Sequence, residues 1–300
     1  MTPEMDLPTG RILSTTLHHI DIGGQVCERV AIPGEAEDLE QYLSELLGEI
    51  GNKPQKREYA LAAQTTEFAR ALRVFYEEPD LSMCDEAEGL AGRLLRIEIT
   101  TDNKFGHLNP EGTGHVKKGS FLQFIYKDGH SIQYLGVKIE HQSFIDEEDF
   151  RRKIGLGETQ KVYKACKVGF DRDGQVFDVL IFDTNSKPST YWWRDFWELT
   201  ELRTDEHNTK TAIKAVTKTL APLKKVSRAD YTLLRNASVA AFKKEGRMNF
   251  DEFVTEVFST YSAETEQSEK KIKEITKKLR KLPERKNFDS QFDLKPGAVP

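Results

Sequence analysis

Lys210, Lys214 and Lys218 recur at intervals of four, and Lys224, Lys225, Arg228, Lys243, Lys244 and Arg247 follow them. On a helix, residues four apart stand one above another, so the three lysines predict a ridge. Ile213, Val216 and Leu220 fall mostly away from that ridge and predict its buried side. Such an array suits one kind of chemistry. It neutralises the phosphates of a duplex and releases their counterions, as point charges that do not read bases. Residues 203–247 carry 11 Lys and Arg against 4 Asp and Glu, which concentrates this charge locally. The competing reading is the ordinary solvated face of an amphipathic helix.

The rest of the chain makes the asymmetry sharper. Residues 1–120 carry 12 Lys and Arg against 21 Asp and Glu, whereas residues 201–300 carry 21 against 15. The overall net charge of −5 therefore hides an acidic front and a basic back. Two further basic runs are less suited to phosphates. Arg151-Arg152-Lys153 follows Asp146-Glu147-Glu148-Asp149, which favours local ion pairing. Lys270, Lys271, Lys273, Lys277, Lys278, Arg280 and Lys281 surround an apolar stripe of Ile272, Ile275, Leu279 and Leu282, as a surface helix would.

Catalytic patterns are weak by comparison. Asp171-Arg172-Asp173-Gly174 lacks the later ligands of a calcium loop and predicts a turn. Asp178 and Asp183 with Lys187 could form a nuclease-like cluster, but their spacing fits no metal motif. His18 and His19 are adjacent on an expected strand, so they point to opposite faces. No phosphate-cradling Gly-Lys-Ser/Thr loop, Cys-x-x-Cys pair or nucleophile elbow occurs. The expectation is a protein with no catalytic residue, no metal and no cofactor. Cys27, Cys84 and Cys166 are odd in number and far apart, which fits free thiols in a reducing cytoplasm. No apolar run of about 18 residues occurs, so no membrane helix is expected. The first residues lack the basic and apolar regions of a secretory leader.

The elements that must carry these residues are legible in outline. Arg11–Ile22 and Val26–Ile32 predict a hairpin through Gly23-Gly24. Glu35–Ile50 and Asp85–Ile97 predict helices from their leucine spacing, and Phe68–Tyr76 is apolar without a clear period. Residues 99–119 predict a loop. Ser120–Tyr126 and Ser131–Glu140 flank Asp128-Gly129, and Lys161–Phe170 and Val176–Asp183 flank a second turn, so two hairpins form an antiparallel sheet. Glu147–Ile154 is a charged connection, read as helical. Tyr191-Trp192-Trp193-Arg194-Asp195-Phe196-Trp197 predicts a short aromatic helix that packs inward rather than stacking on bases. Asn208–Leu223, with an end or kink at Pro222, Arg228–Lys244, Phe250–Tyr261 and Glu266–Leu282 predict helices. The expected fold is α+β in four regions: an acidic N-terminal α+β domain over 1–105, a β-hairpin sheet over 106–188, a helical basic region over 189–286 and a tail over 287–300.

Several segments, in order, carry a family resemblance. They are Gly119-Ser120-Phe121-Leu122-Gln123-Phe124-Ile125-Tyr126, Leu135-Gly136-Val137-Lys138-Ile139, Tyr191 to Leu199, Asn208-Thr209-Lys210-Thr211, Asn249-Phe250-Asp251-Glu252-Phe253 and Asn287-Phe288-Asp289. From about residue 68 to 294 this pattern resembles the bacterial 37-kDa nucleoid-associated proteins, the NdpA-like family. Trp197-Glu198-Leu199 stands where that family has Phe-Leu-Gly, and a closing β-hairpin would be expected after Phe288. The resemblance implies sequence-tolerant binding to double-stranded DNA, a place in the cytoplasmic nucleoid, a homodimer and no catalysis. Family members also occur beside phage-defence genes. The second expectation is therefore a protein-interaction or DNA-sensing component of a DNA-handling or defence complex. The third is a metal-dependent nuclease. A further expectation is that the acidic N-terminal region competes with DNA for the basic ridge.

Overall fold

The computed structural model describes residues 11–32, 37–52, 57–105, 119–145, 152–156, 164–183 and 188–299. The chain is α+β and forms two compact units. Met1–Pro54 with Tyr59–Thr200 form the first, and Gln55–Glu58 with Glu201–Pro300 form the second.

The first unit contains β1 (Arg11–Asp21), β2 (Val26–Val30), α1 (Glu37–Asn52), β3 (Tyr59–Leu61), α2 (Glu67–Glu77), α3 (Asp85–Phe105), β4 (Gly119–Asp128), β5 (Ser131–Ile145), β6 (Arg152–Leu156), β7 (Lys164–Phe170) and β8 (Val176–Asp183). Antiparallel pairing orders the main sheet β2-β1-β4-β5-β7-β8, and β6 pairs with the end of β5. The N-terminal hairpin and the central hairpins, expected in separate domains, share this sheet. β1 runs along β4 from Arg11 opposite Lys127 to Ile20 opposite Gly119.

Residues Gly119–Tyr126 of β4 are all buried, because helices cover both faces of the strand. Phe121 and Ile125 join the cluster that contains Phe68, Phe75, Leu90 and Leu94 of α2 and α3. Leu122, Phe124 and Tyr126 point the other way and pack with Leu46, Leu47 and Ile50 of α1. The period of two thus serves two cores from one strand. Gly136 of β5 is required by its neighbour: an added Cβ would lie 2.5 Å from Trp197 Cη2.

Three expectations of local structure change. Residues 99–105 continue α3 instead of starting a loop. The end of the connection read over Glu147–Ile154 falls in a strand, Arg152–Leu156, since pairing with His141–Ile145 satisfies its backbone. The aromatic segment is a π-helical turn over Tyr191–Phe196, followed by β9 (Leu199–Glu201), which pairs with β3. Trp192, Phe196 and Trp197 are buried in the first core, as expected for packing. Glu198 adopts a left-handed φ of 51°, so the chain turns sharply there without glycine. Its carboxylate accepts from Phe68 N at 3.1 Å and pairs with Arg93 at 3.3 Å, which anchors the turn.

The second unit contains α4 (Asp205–Leu220), α5 (Arg228–Phe242), β10 (Arg247–Asn249), α6 (Phe250–Val254), α7 (Glu266–Arg280), α8 (Leu282–Lys286) and β11 (Gln291–Asp293). Ile213, Val216, Phe242, Phe250, Ile275 and Phe292 belong to its own core. The segment read as a tail is part of that core. Phe288, Phe292 and Leu294 are buried, and β11 pairs with β10. Asp289 accepts from Arg203 Nη1 and from Asn208 Nδ2, each at 2.8 Å, and from Glu58 N at 3.4 Å. Arg57 in turn pairs with Asp205 at 2.9 Å and Glu201 at 3.0 Å. The strip at 57–58 is therefore tied to both ends of the second unit.

Candidate nucleic-acid interface

Thr204 caps α4, its side chain accepting from His207 N at 3.2 Å. Asp205 and Glu206 occupy the first turn and Lys218 the last, as the helix dipole favours. Asn208, Thr209, Ala212, Ile213, Ala215, Val216 and Leu220 are buried, which fixes the rotation of the helix. Lys210, Lys214 and Lys218 are consequently left exposed on its opposite side. They span about 12 Å along the axis, since a helix rises ~1.5 Å per residue.

Pro222 lacks a backbone N–H, and the chain beyond Leu220 tightens into a 3₁₀ turn over Ala221–Lys225. That turn exposes Lys224 and Lys225. Lys224 Nζ lies 5.9 Å from the centre of the Tyr231 ring. Ser227 then caps α5 by accepting from Asp230 N at 3.1 Å, and Arg228 is exposed at the first helical position. Lys243 and Lys244 are exposed at the other end of α5, about 22 Å away along the helix. Arg247 differs from these. It is half-buried in β10, with Nη2 3.4 Å from Gln291 Oε1 and Nε buried without a partner.

Ion pairing separates this array from the second basic run. On α7, Lys271 and Lys278 flank Glu274 at 2.8 and 2.5 Å, and Lys273 pairs with Glu269 at 2.6 Å. Hydrogen bonds from Lys271 and Lys278 draw the Glu274 carboxyl down to about 2. Among the described residues, no ion pair involves Lys210, Lys214, Lys218, Lys224, Lys225, Arg228, Lys243 or Lys244. The positive charge of α4 and its continuation is thus uncompensated locally, whereas much of that on α7 is not.

The nuclease cluster does not assemble on the described residues. Asp178 and Asp183 are five apart on one regular stretch of β8 and so point to opposite faces. Asp183 is occupied by Lys164 at 2.5 Å and accepts from Ser189 N at 2.8 Å, while Lys187 lies outside the described residues. Asp171 Oδ1 accepts from the backbone N–H groups of Asp173 and Gln175 at 2.9 and 2.8 Å, closing a turn in which Gly174 has a φ of 77°. Burial and the neighbouring Arg29 lower His18 to about 4, so its ring is neutral near pH 7. No group of three or more His, Cys, Asp or Glu among the described residues could hold a metal ion. Nor is any described helix long and apolar enough to cross a membrane.

Sequence reasoning missed the buried ionic rung of the first unit. Lys138 on β5 and Lys164 on β7 are register partners, and Lys164 is opposite Asp183 on β8. Lys138 donates to Glu98 of α3, and all of these side chains are buried. The only sequence signal was a lysine in each of two apolar strands. Comparison of the chain with known protein families and with curated proteins gave no match.

Proposed function

We propose that this protein binds double-stranded DNA without chemistry, through phosphate contacts made by Lys210, Lys214 and Lys218 and extended by Lys224, Lys225 and Arg228. The observation that supports this most is the lack, among the described residues, of carboxylate partners for an exposed lysine ridge on a helix whose rotation is fixed by its core face. Free ammonium groups release condensed counterions on binding, whereas lysines already paired with Glu269 or Glu274 must first give up those partners. Lys243 and Lys244 extend the footprint along α5, and Arg247 serves mainly the β10–β11 pair. Binding of this kind tolerates sequence, because phosphates carry none. The same reading places the protein in the bacterial nucleoid as a homodimer, in a housekeeping or phage-defence setting.

Duplex binding across a salt series tests it. Each phosphate contact contributes a slope of about −0.9 to the plot of log K against log salt, so Lys210→Glu/Lys214→Glu/Lys218→Glu should flatten the slope by about 2.7. No duplex binding at low salt would reject the reading. Binding that the triple variant leaves unchanged would reject this surface.

A protein-interaction role is the second reading, favoured by Phe177. This large apolar side chain on β8, the last strand of the sheet order, is 62% exposed. A complex that survives high salt in the absence of DNA, and is lost in Phe177→Ser, would support it.

A further inference from the structure

A cleft in the second unit lies apart in chemistry from the α4 ridge. After α6 the chain widens into a π-helical turn over Thr255–Ser259, a feature common at functional sites. Between this region and α7 is a cleft of about 390 Å³, within the ~300–1,000 Å³ usual for small-molecule sites. Its apolar lining includes Phe258, Tyr261 and Ile272. Lys273, Lys277 and Arg280 line it from α7, at helical spacings of four and three.

These groups are differently prepared. Lys273 is held by Glu269. Lys277 forms no ion pair among the described residues. Arg280 Nη2 donates to Thr255 Oγ1 at 3.1 Å, which leaves other guanidinium N–H groups for an anion. The Tyr261 ring is positioned in advance, its hydroxyl donating to buried Asp230 at 2.7 Å. Burial, and then that hydrogen bond, push the Tyr261 phenol up to about 12, so it stays neutral beside an anionic ligand.

We propose that this cleft binds a nucleoside 5′-monophosphate, with the base against Tyr261 and the phosphate held by Lys277 and Arg280. An aromatic ring offers any base a π-face, while Lys277 and Arg280 enter the lining three residues apart on α7 and can reach one phosphate together. A ligand that uses both features is flat at one end and anionic at the other. Inorganic phosphate satisfies only the second half of the site, and a nucleoside only the first.

Calorimetric titration of the full chain with AMP, adenosine and inorganic phosphate tests this. AMP should bind saturably and more tightly than either fragment. Lys277→Glu/Arg280→Glu changes exposed residues and should weaken AMP at least about tenfold, as expected for loss of charge-assisted hydrogen bonds. Lys210→Glu/Lys214→Glu/Lys218→Glu should leave AMP affinity unchanged, which separates this cleft from the duplex surface. Equal affinity for AMP and inorganic phosphate, no AMP binding, or unaltered AMP binding in a folded Lys277→Glu/Arg280→Glu protein would each overturn the proposal.

Discussion

Lys138 and Lys164 are register partners on adjacent strands, and both side chains are fully buried. Two ammonium groups side by side in a protein interior are tolerable only because each has its own carboxylate, Glu98 for one and Asp183 for the other. Burial nevertheless pushes the Glu98 carboxyl up and the Lys164 amine down. The rung couples β5, β7, β8 and α3, so it specifies how the helix is set on the sheet.

Breaking this rung on one side should be costly. Lys138→Met leaves Glu98 buried without its cation and is expected to destabilise the protein by about 3–5 kcal/mol. Adding Glu98→Leu should recover much of that loss. Urea unfolding of the single and double variants measures the difference. Equal stability of Lys138→Met and wild type would show that the pair contributes nothing to the fold.

Gly136 and Trp197 make a second local demand. Gly136→Ala places a methyl group into the indole ring, and an overpacked core of this kind typically costs about 1–3 kcal/mol. Thermal unfolding should show a lowered midpoint. Gly136→Ala/Trp197→Leu, which gives the methyl space, should be less impaired by the alanine than the wild-type background is.

The strands were legible because hydrophobic alternation survives burial on two faces. Phe121, Ile125, Leu122 and Phe124 divide between two cores as their parity requires. The lysine ridge was legible for the same reason, since Ile213, Val216 and Leu220 declare which side is inward. What could not be read were features fixed by distant partners. Arg152 and Lys153 read as part of a charged connection until β5 supplies the backbone pairing of a strand. Phe288, Phe292 and Leu294 are sparse in a polar segment, and their burial depends on α4 and β10. The compensation of α7 was partly visible, as Glu269 precedes Lys273, and Glu274 precedes Lys278, by four residues.

His18 predicts a pH dependence of stability. Its folded value of about 4 lies below the ordinary 6.5, so between these values the unfolded chain binds the proton more readily. Its contribution is fully present above about pH 6.5 and is lost as pH falls toward 4. In His18→Leu the urea midpoint should decline less steeply over this window. Parallel curves for the two proteins would exclude His18 as a source of acid sensitivity.

The acidic front invites a charge test rather than a deletion. Removing residues 1–100 would take away β1, which pairs along β4, and α3, which supplies Glu98. Glu78→Gln/Asp85→Asn/Glu86→Gln keeps the fold and reduces surface charge. If this region competes with DNA, duplex affinity should rise at low salt and converge with wild type at high salt. Unchanged affinity at low salt would end the competition hypothesis.

Membership of Gln55–Glu58 in the second unit sets an order on synthesis. Arg57 leaves the ribosome 148 residues before its partner Asp205, and Glu58 leaves it 231 residues before Asp289. At about 5–20 residues per second the longer interval is roughly ten to forty-five seconds. Through the shorter interval the Arg57 guanidinium, destined for burial, waits in water for Asp205, while the sheet that follows it is being made. The second unit can be completed only after β11 has emerged to pair with β10, so the α4 lysine ridge settles on its core later than the sheet strands settle on theirs.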